Sequence, residues 1–163
     1  MQKEILIALN KHLNREIQSS YLYFSMATDC HERDLPGCAH WMELQGKEEL
    51  GHVRCFYDYL LKRGQRVSLE AIPQPPHSWD SLQAIFDAAL AHEKMVTEQI
   101  NALVSLVRER KDYATEQFLQ WFVEEQVEEE SNVNTVIIQI KRAKDSASLL
   151  WVDNQLGQRK QNQ

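Results

Sequence analysis

Carboxylate, amide and imidazole side chains recur along this 163-residue chain at matched separations. In each half, an acidic residue is followed 33 residues later by a second polar residue, and three residues after that by a third. A shift of 77 residues carries the first trio onto the second, so the joint register indicates two equivalent halves. The first trio is Glu16, Glu49 and His52, and the second trio is Glu93, Gln126 and Glu129.

These side chains are metal ligands if the fold brings them together in its interior. Four buried carboxylates would repel one another, at a cost on the order of several kcal/mol each unless cations neutralise them. Two divalent cations would supply the opposite charge. Carboxylate oxygens combined with one imidazole suit iron, manganese or zinc better than a metal that prefers thiolates. The spacing therefore predicts a two-metal site.

Long helices must carry these residues, because proline is almost absent from the chain. The four prolines lie at positions 36, 73, 75 and 76, and proline inside a helix costs about 3 kcal/mol. Residues 34–37 (DLPG) predict a tight turn, and residues 64–78 predict a long loop. Within a single domain that spans residues 1–163, we predict helices over residues 3–32, 37–63, 79–110, 112–143 and 147–157.

The connections between these helices predict how they pack. Short links make the first and second helices antiparallel neighbours, and likewise the third and fourth. The middle loop is long enough to run along a helix of about 27 residues, which spans roughly 40 Å. The expected fold is all-α, with two antiparallel helical hairpins, one long crossover and a short C-terminal fifth helix.

Apolar residues follow each of the four long helices at alternating spacings of four and three, as in a stripe that faces the core. Near its middle, each stripe is interrupted by carboxylate or amide residues, and no stripe position holds lysine or arginine. The pattern therefore predicts that the ligands lie at one level of the bundle. The interrupting residues are Glu16, Glu49, Glu93, Gln126 and Glu129.

Composition excludes several classes of function. Lys and Arg number 18 against 24 Asp and Glu, giving a net charge of −6, so we expect no nucleic-acid partner. No apolar run approaches the roughly 18 residues of a membrane span, and the N-terminus lacks a signal-peptide pattern. Cys30, Cys38 and Cys55 lack the spacing of a zinc or disulfide framework. We therefore expect free thiols and a cytoplasmic protein that does not contact membranes.

Four segments carry a resemblance to a known family: NREIQSSYLY at 14–23, KEELGH at 47–52, AHEK at 91–94 and FLQWFVEEQVEEE at 118–130. Together they resemble the bacterial non-haem ferritins over essentially the whole chain. The E-x-x-H spacing alone is a weak signal, but its combination with three matching helices is specific. The resemblance implies a ferritin-like four-helix bundle, the fold of di-iron carboxylate proteins.

The resemblance also implies a role for each ligand. The first trio would hold one iron, with Glu49 bridging to the second, and the second trio would complete the second site. Gln126 would lie close to the iron pair without ligating strongly, and Tyr23 matches the family's tyrosine beside the di-iron centre. A third iron site, sharing Glu129, would be formed on the cavity side by Glu48, Glu125 and Glu128.

The family implies an activity as well. Fe²⁺ would be oxidised to Fe³⁺ by O₂ or H₂O₂ at the di-iron centre and stored as a ferric oxyhydroxide mineral inside a homo-oligomeric cage of 24 subunits. No haem is expected. Haem-binding relatives have a methionine after the bridging glutamate and a second E-x-x-H motif on the fourth helix, where this chain has Leu50 and the pair Gln126 and Glu129.

Two other interpretations stay open. A di-iron or manganese oxidase or oxygenase of the same superfamily would use such a site without storing iron. A metal-free helical interaction module would leave the acids as solvated residues of helix faces. The sequence also predicts that the remaining histidines are surface or capping residues; these are His12, His31, His40, His77 and His92.

Overall fold

The computed structural model describes residues 1–160, which fold as a bundle of helices. The helices are α1 (Lys3–Glu32), α2 (Pro36–Lys62), α3 (Leu82–Glu109), α4 (Tyr113–Arg142) and α5 (Ser146–Leu156). α1 packs along α2 and α3 along α4, α1 also contacts α3, and α5 lies against α2 and α4. The predicted four-helix bundle with a short fifth helix is confirmed. None of the helices in this described part is long and apolar enough to cross a membrane.

Side-chain caps determine where three of the helices begin. The third helix starts at Leu82, three residues later than predicted, because the Ser81 hydroxyl accepts a hydrogen bond from the Ala84 amide at 3.1 Å. Asp112 caps α4 in the same way. Asp145 caps α5 as half of a reciprocal capping box. The positions of the prolines and the stripes of apolar residues predict which segments are helical. The caps determine the first residue of each of these three helices.

Two asparagines of α1 fix the long crossover, residues 63–81, beside that helix. The Ser68 amide donates to Asn10 Oδ1 at 2.7 Å, and Asn14 Nδ2 donates to the Ser68 carbonyl at 2.7 Å. The Glu70 amide donates to Asn14 Oδ1 at 2.8 Å. Because both asparagines are buried, these bonds satisfy loop backbone groups that would otherwise lose water without replacement.

The apolar core consists of two clusters, one toward each end of the bundle. One cluster contains Met26, Trp41 and Phe86, and the other contains Leu9 and Phe56. Along every long helix the residues of the two trios fall between members of these clusters. The bundle therefore encloses a polar layer with apolar packing above and below it.

The short helix α5 docks on the first turn of α2 through a close backbone approach. The Cys38 amide donates to Asp153 Oδ1 at 2.8 Å. At the adjacent position a Cβ on Gly37 would lie 1.8 Å from the Asp153 carbonyl oxygen, so only glycine fits there. The position of α5 thus depends on this one glycine.

Gly37→Ala should weaken the docking of α5. The new methyl group collides with a backbone oxygen, which cannot rotate away, so we expect the Tm to fall by roughly 5 °C and protease cleavage near α5 to increase. The matched control is Gly51→Ala on the same helix, where a Cβ meets nothing within 4 Å and the helix gains up to about 1 kcal/mol. Equal melting temperatures in the two variants would contradict the assigned contact.

Candidate metal centre

The structure brings the six residues of the two trios into one buried layer. Their exposed fractions lie between 0% and 5%. Ligand atoms of Glu16, Glu49 and His52 lie within 4.8 Å of one another, and the same holds for Glu49, His92 and Glu93. Glu49 belongs to both groups, so its carboxylate lies between the two halves of the layer.

Neutral donors hold the acids of the second trio. The Tyr23 hydroxyl donates to Glu93 Oε1, and Gln126 Nε2 donates to Glu93 Oε2 at 3.1 Å. Gln45 Nε2 donates to Glu129 Oε2 at 2.7 Å, and the side chain of Gln45 is completely buried. These hydrogen bonds orient both carboxylates while leaving lone pairs free for a cation.

Glu16 differs from Glu93 and Glu129 because no neutral amide or hydroxyl group donates to it. Both of its carboxylate oxygens are buried and have no hydrogen-bond partner among residues 1–160. His12 Nε2 lies 2.7 Å from Glu16 Oε1 but outside hydrogen-bond alignment, and the ring packs on Phe56 at 4.8 Å between centroids. A buried carboxylate that only a neighbouring imidazole approaches fits a layer that accepts cations.

Burial changes the acidity of these groups. It raises the pKa of Glu129 to about 8, with a further contribution from the charge of Glu93. Burial also raises the pKa of Glu93 to about 7 against the lowering effect of the Tyr23 hydrogen bond, and it raises the pKa of Glu49 well above its ordinary value. At Glu16 burial is outweighed by the adjacent His12, and the pKa falls to about 2. Without metal, the layer therefore holds protons near neutral pH.

The three residues predicted for a third iron site, Glu48, Glu125 and Glu128, differ in their contacts and in their exposure. Glu125 lies close to the polar layer, with a ligand atom within 4.8 Å of those of His52 and Glu129. Glu48 Oε2 accepts a hydrogen bond from Arg159 Nη2 at 2.7 Å. Burial raises the pKa of Glu125 and, against the lowering effect of Arg159, that of Glu48. The charge of the exposed Glu128 adds to the rise at both, so the three acids lie near one another.

Four residues beside the layer were missed by sequence reasoning: His12, Gln45, His92 and Arg159. The prediction that the remaining histidines are surface or capping residues is wrong for His12, which is buried, whereas His92 is half-buried. His12 is 2% exposed because the ring of Phe56 covers it, and His92 Nε2 lies 2.8 Å from the Ser19 hydroxyl between α3 and α1. His12 lies four residues before Glu16, a spacing that places both on one helix face and could have identified it.

The fold and this layer together define a class of protein, the four-helix bundles with a carboxylate-rich metal centre between the helices. Residues 6–143 match the family model described as the ferritin-like domain. The chain belongs to the ferritin family. The resemblance found in the sequence motifs is thereby confirmed.

Individual relatives match along almost the entire chain. The bacterial non-heme ferritin of Bacteroides fragilis is 40% identical over 152 residues, which are 93% of this chain and 95% of that protein. The bacterial non-heme ferritin of Staphylococcus epidermidis is 38% identical over 93% of this chain and 92% of its own length. Among solved structures, the open-pore ferritin of Archaeoglobus fulgidus superposes with a TM-score of 0.96 at 40% identity, covering 98% of this chain and 99% of that one.

In metal-free protein, stability should fall as the pH rises. The raised pKa of Glu129, about 8, means that the folded state binds this proton more tightly than the unfolded chain does. Its stabilising effect is complete at acid pH and is lost as the pH rises through about 8. Glu129→Gln should therefore flatten the decline of Tm between the ordinary pKa of 4.5 and the raised pKa of about 8, as measured by calorimetry after chelation.

The control for this measurement is Glu124→Gln, because Glu124 is an exposed residue of the same helix. This variant removes one carboxylate without touching the polar layer and should follow the wild-type pH profile. If both variants gave the same profile, protonation of Glu129 would not be the source of the pH dependence.

Proposed function

We propose that this protein is an iron-storing ferroxidase, which binds pairs of Fe²⁺ ions as its substrate and oxidises them to Fe³⁺. The observation that carries the proposal is the buried carboxylate of Glu16, which no neutral amide or hydroxyl group holds and which groups with Glu49 and His52 in a layer with two further buried carboxylates. Such a cluster is stable as a charged site only when cations enter it. Membership of the ferritin family supports iron as the cation.

The proposed ligands divide into two sets that share one residue. The first trio holds one iron, and Glu49 bridges to the second iron because its ligand atoms group with both halves. The second trio completes the second site. Gln126 donates to Glu93 through its amide nitrogen, and its uncharged amide oxygen is a weaker metal ligand than a carboxylate. The hard oxygens favour the ferric product. With O₂ as oxidant, two Fe²⁺ and two protons give two Fe³⁺ and one H₂O₂.

Tyr23 has a defined part in this scheme. Its hydroxyl is completely buried and donates to Glu93, so it holds that carboxylate in the orientation in which it faces the layer. Burial, followed by the charge of Glu93, raises the pKa of Tyr23 well above its ordinary value. The phenol therefore stays protonated and acts here as a hydrogen-bond donor.

We further propose that oxidised iron moves past Glu48, Glu125 and Glu128 and is stored as a ferric oxyhydroxide mineral in a cage of 24 subunits. The acids near the layer and the net charge of −6 favour attraction of iron cations. Large apolar side chains remain exposed, among them Leu69 (68%) in the crossover and Trp151 (59%) on α5. Such residues are suited to contacts between subunits.

Removal of a ligand should slow iron oxidation. Glu16→Ala and Glu93→Ala are expected to reduce the initial rate of the ferric absorbance rise after aerobic addition of Fe²⁺ by about 10- to 100-fold or more. Glu98→Ala is the matched control, because Glu98 is an exposed residue of α3 and lies outside the layer. Wild-type rates in both ligand variants would refute the site assignment.

Storage can be separated from simple oxidation by particle mass and content. A cage of twenty-four 19.1-kDa chains has a mass of about 460 kDa, which analytical ultracentrifugation should detect. Electron microscopy after Fe²⁺ addition in air should show hollow spheres with dense cores. A dimer that still oxidises iron would instead indicate the non-storage oxidase, and the absence of tight anaerobic Fe²⁺ binding would leave the helical interaction module.

A further inference from the structure

Arg159 follows α5 and is anchored on α2 by both its backbone and its side chain. Its carbonyl oxygen lies 3.0 Å from His40 Nε2, and its guanidinium carbon lies 4.8 Å from the centroid of the Trp41 ring. The guanidinium also donates to Glu48 Oε2 at 2.7 Å. The side chain is only 18% exposed, so it is a fixed part of the packing between α5 and α2.

The second contact of the guanidinium leads into the metal centre. Arg159 Nη1 donates to Gln45 Oε1, and Gln45 Nε2 donates to Glu129 Oε2 at 2.7 Å. Gln45 is completely buried, so water does not replace either bond. A continuous chain of hydrogen bonds thus connects Arg159, three residues beyond the end of α5, to a proposed iron ligand on α4.

The donor and acceptor groups in this series of hydrogen bonds determine which end of the Gln45 amide faces Arg159. A guanidinium carries only donors, so Gln45 must turn its carbonyl oxygen toward Arg159. The amide nitrogen then faces Glu129 and occupies one of its two carboxylate oxygens. The other carboxylate oxygen of Glu129 keeps its lone pairs for a metal ion.

The planar shape of the guanidinium matters as much as its charge. Two of its nitrogens contact two different side chains, Glu48 and Gln45, while its face lies over Trp41. A lysine ammonium would keep the charge but could not hold both partners in one plane. The planar guanidinium thereby fixes the orientation of the Gln45 amide, which a positive charge alone would not do.

We propose that Arg159 is a positioning residue of the metal centre, acting on Glu129 through Gln45; this inference rests on the function proposed above. Because Arg159 follows α5, the docking of that helix on α2 sets the orientation of a ligand on α4. Metal affinity on the side of Glu129 therefore depends on a residue that touches no metal.

The test is anaerobic titration of the intact assembly with Co²⁺, a probe for Fe²⁺ that O₂ does not oxidise readily, followed by calorimetry. The wild type should bind two Co²⁺ per subunit. Arg159→Gln should bind one of them with unchanged affinity and the other about 10-fold more weakly. The matched control Lys160→Gln removes the same charge at the neighbouring, exposed position and should bind as the wild type does.

Arg159→Lys provides a second variant, since it preserves the charge and the packing of the aliphatic stem against Trp41. It should fold normally and show the same 10-fold weakening. Wild-type Co²⁺ affinity in either variant would overturn the proposal. This holds even if the Tm falls, because a lower Tm with unchanged affinity would mean that Arg159 only stabilises the fold.

A double-mutant cycle checks the route through Gln45. Gln45→Met removes the amide at similar volume, and adding Arg159→Gln to it should cause no further loss of Co²⁺ affinity. Additive losses would overturn the proposed relay. Failure of the wild type itself to bind Co²⁺ or Fe²⁺ tightly would refute the ferroxidase function, whereas two-site binding that is insensitive to Arg159 refutes only the present inference.

Discussion

The burial of carboxylates in one layer, without a lysine or arginine among the two trios, is the constraint on which this molecule depends. Apolar clusters above and below the layer keep water out, so the charges must be balanced from within. In the absence of metal, protons provide the balance, as the raised pKa values of Glu93 and Glu129 indicate. A divalent cation that enters displaces these protons, and binding is thereby linked to pH.

The rest of the fold serves to keep this layer in register. Antiparallel hairpins place the middle of each helix at the same level, and the crossover keeps the second hairpin aligned with the first. Asn10 and Asn14 fix that crossover beside α1, just before Glu16 in the sequence. At the other end, α5 ties the first turn of α2 to the C-terminal part of the chain through the close approach at Gly37.

Those parts of the structure that repeat along the chain were predictable from sequence. The helices follow from the positions of the prolines and the spacing of apolar residues, and the trios follow from the 33- and 77-residue intervals. Residues outside the repeat were not predictable in this way. The same 77-residue shift carries His12 onto Ala89 and Gln45 onto Phe122, so neither has an equivalent that would call attention to it.

Arg159 is the extreme case, because nothing in its local sequence indicates a contact with a glutamine 114 residues away. Such a contact depends on where the short helix α5 docks, and docking is a property of the packed bundle. Tyr23 was named only through the family resemblance, and its hydrogen bond to Glu93 likewise crosses from one hairpin to the other. Periodicity locates residues on a helix face but does not identify partners between helices.

The two halves of the layer share a register but differ in chemistry, and this difference gives them different tasks under the proposed function. Glu93 and Glu129 already accept hydrogen bonds from neutral donors, whereas Glu16 accepts none among the described residues. Burial is outweighed at Glu16 by the adjacent His12, which lowers the pKa to about 2, whereas burial raises the pKa of Glu93 to about 7 and that of Glu129 to about 8. Under the proposed function, an incoming Fe²⁺ therefore meets an ionised carboxylate in the first half and displaces protons in the second half.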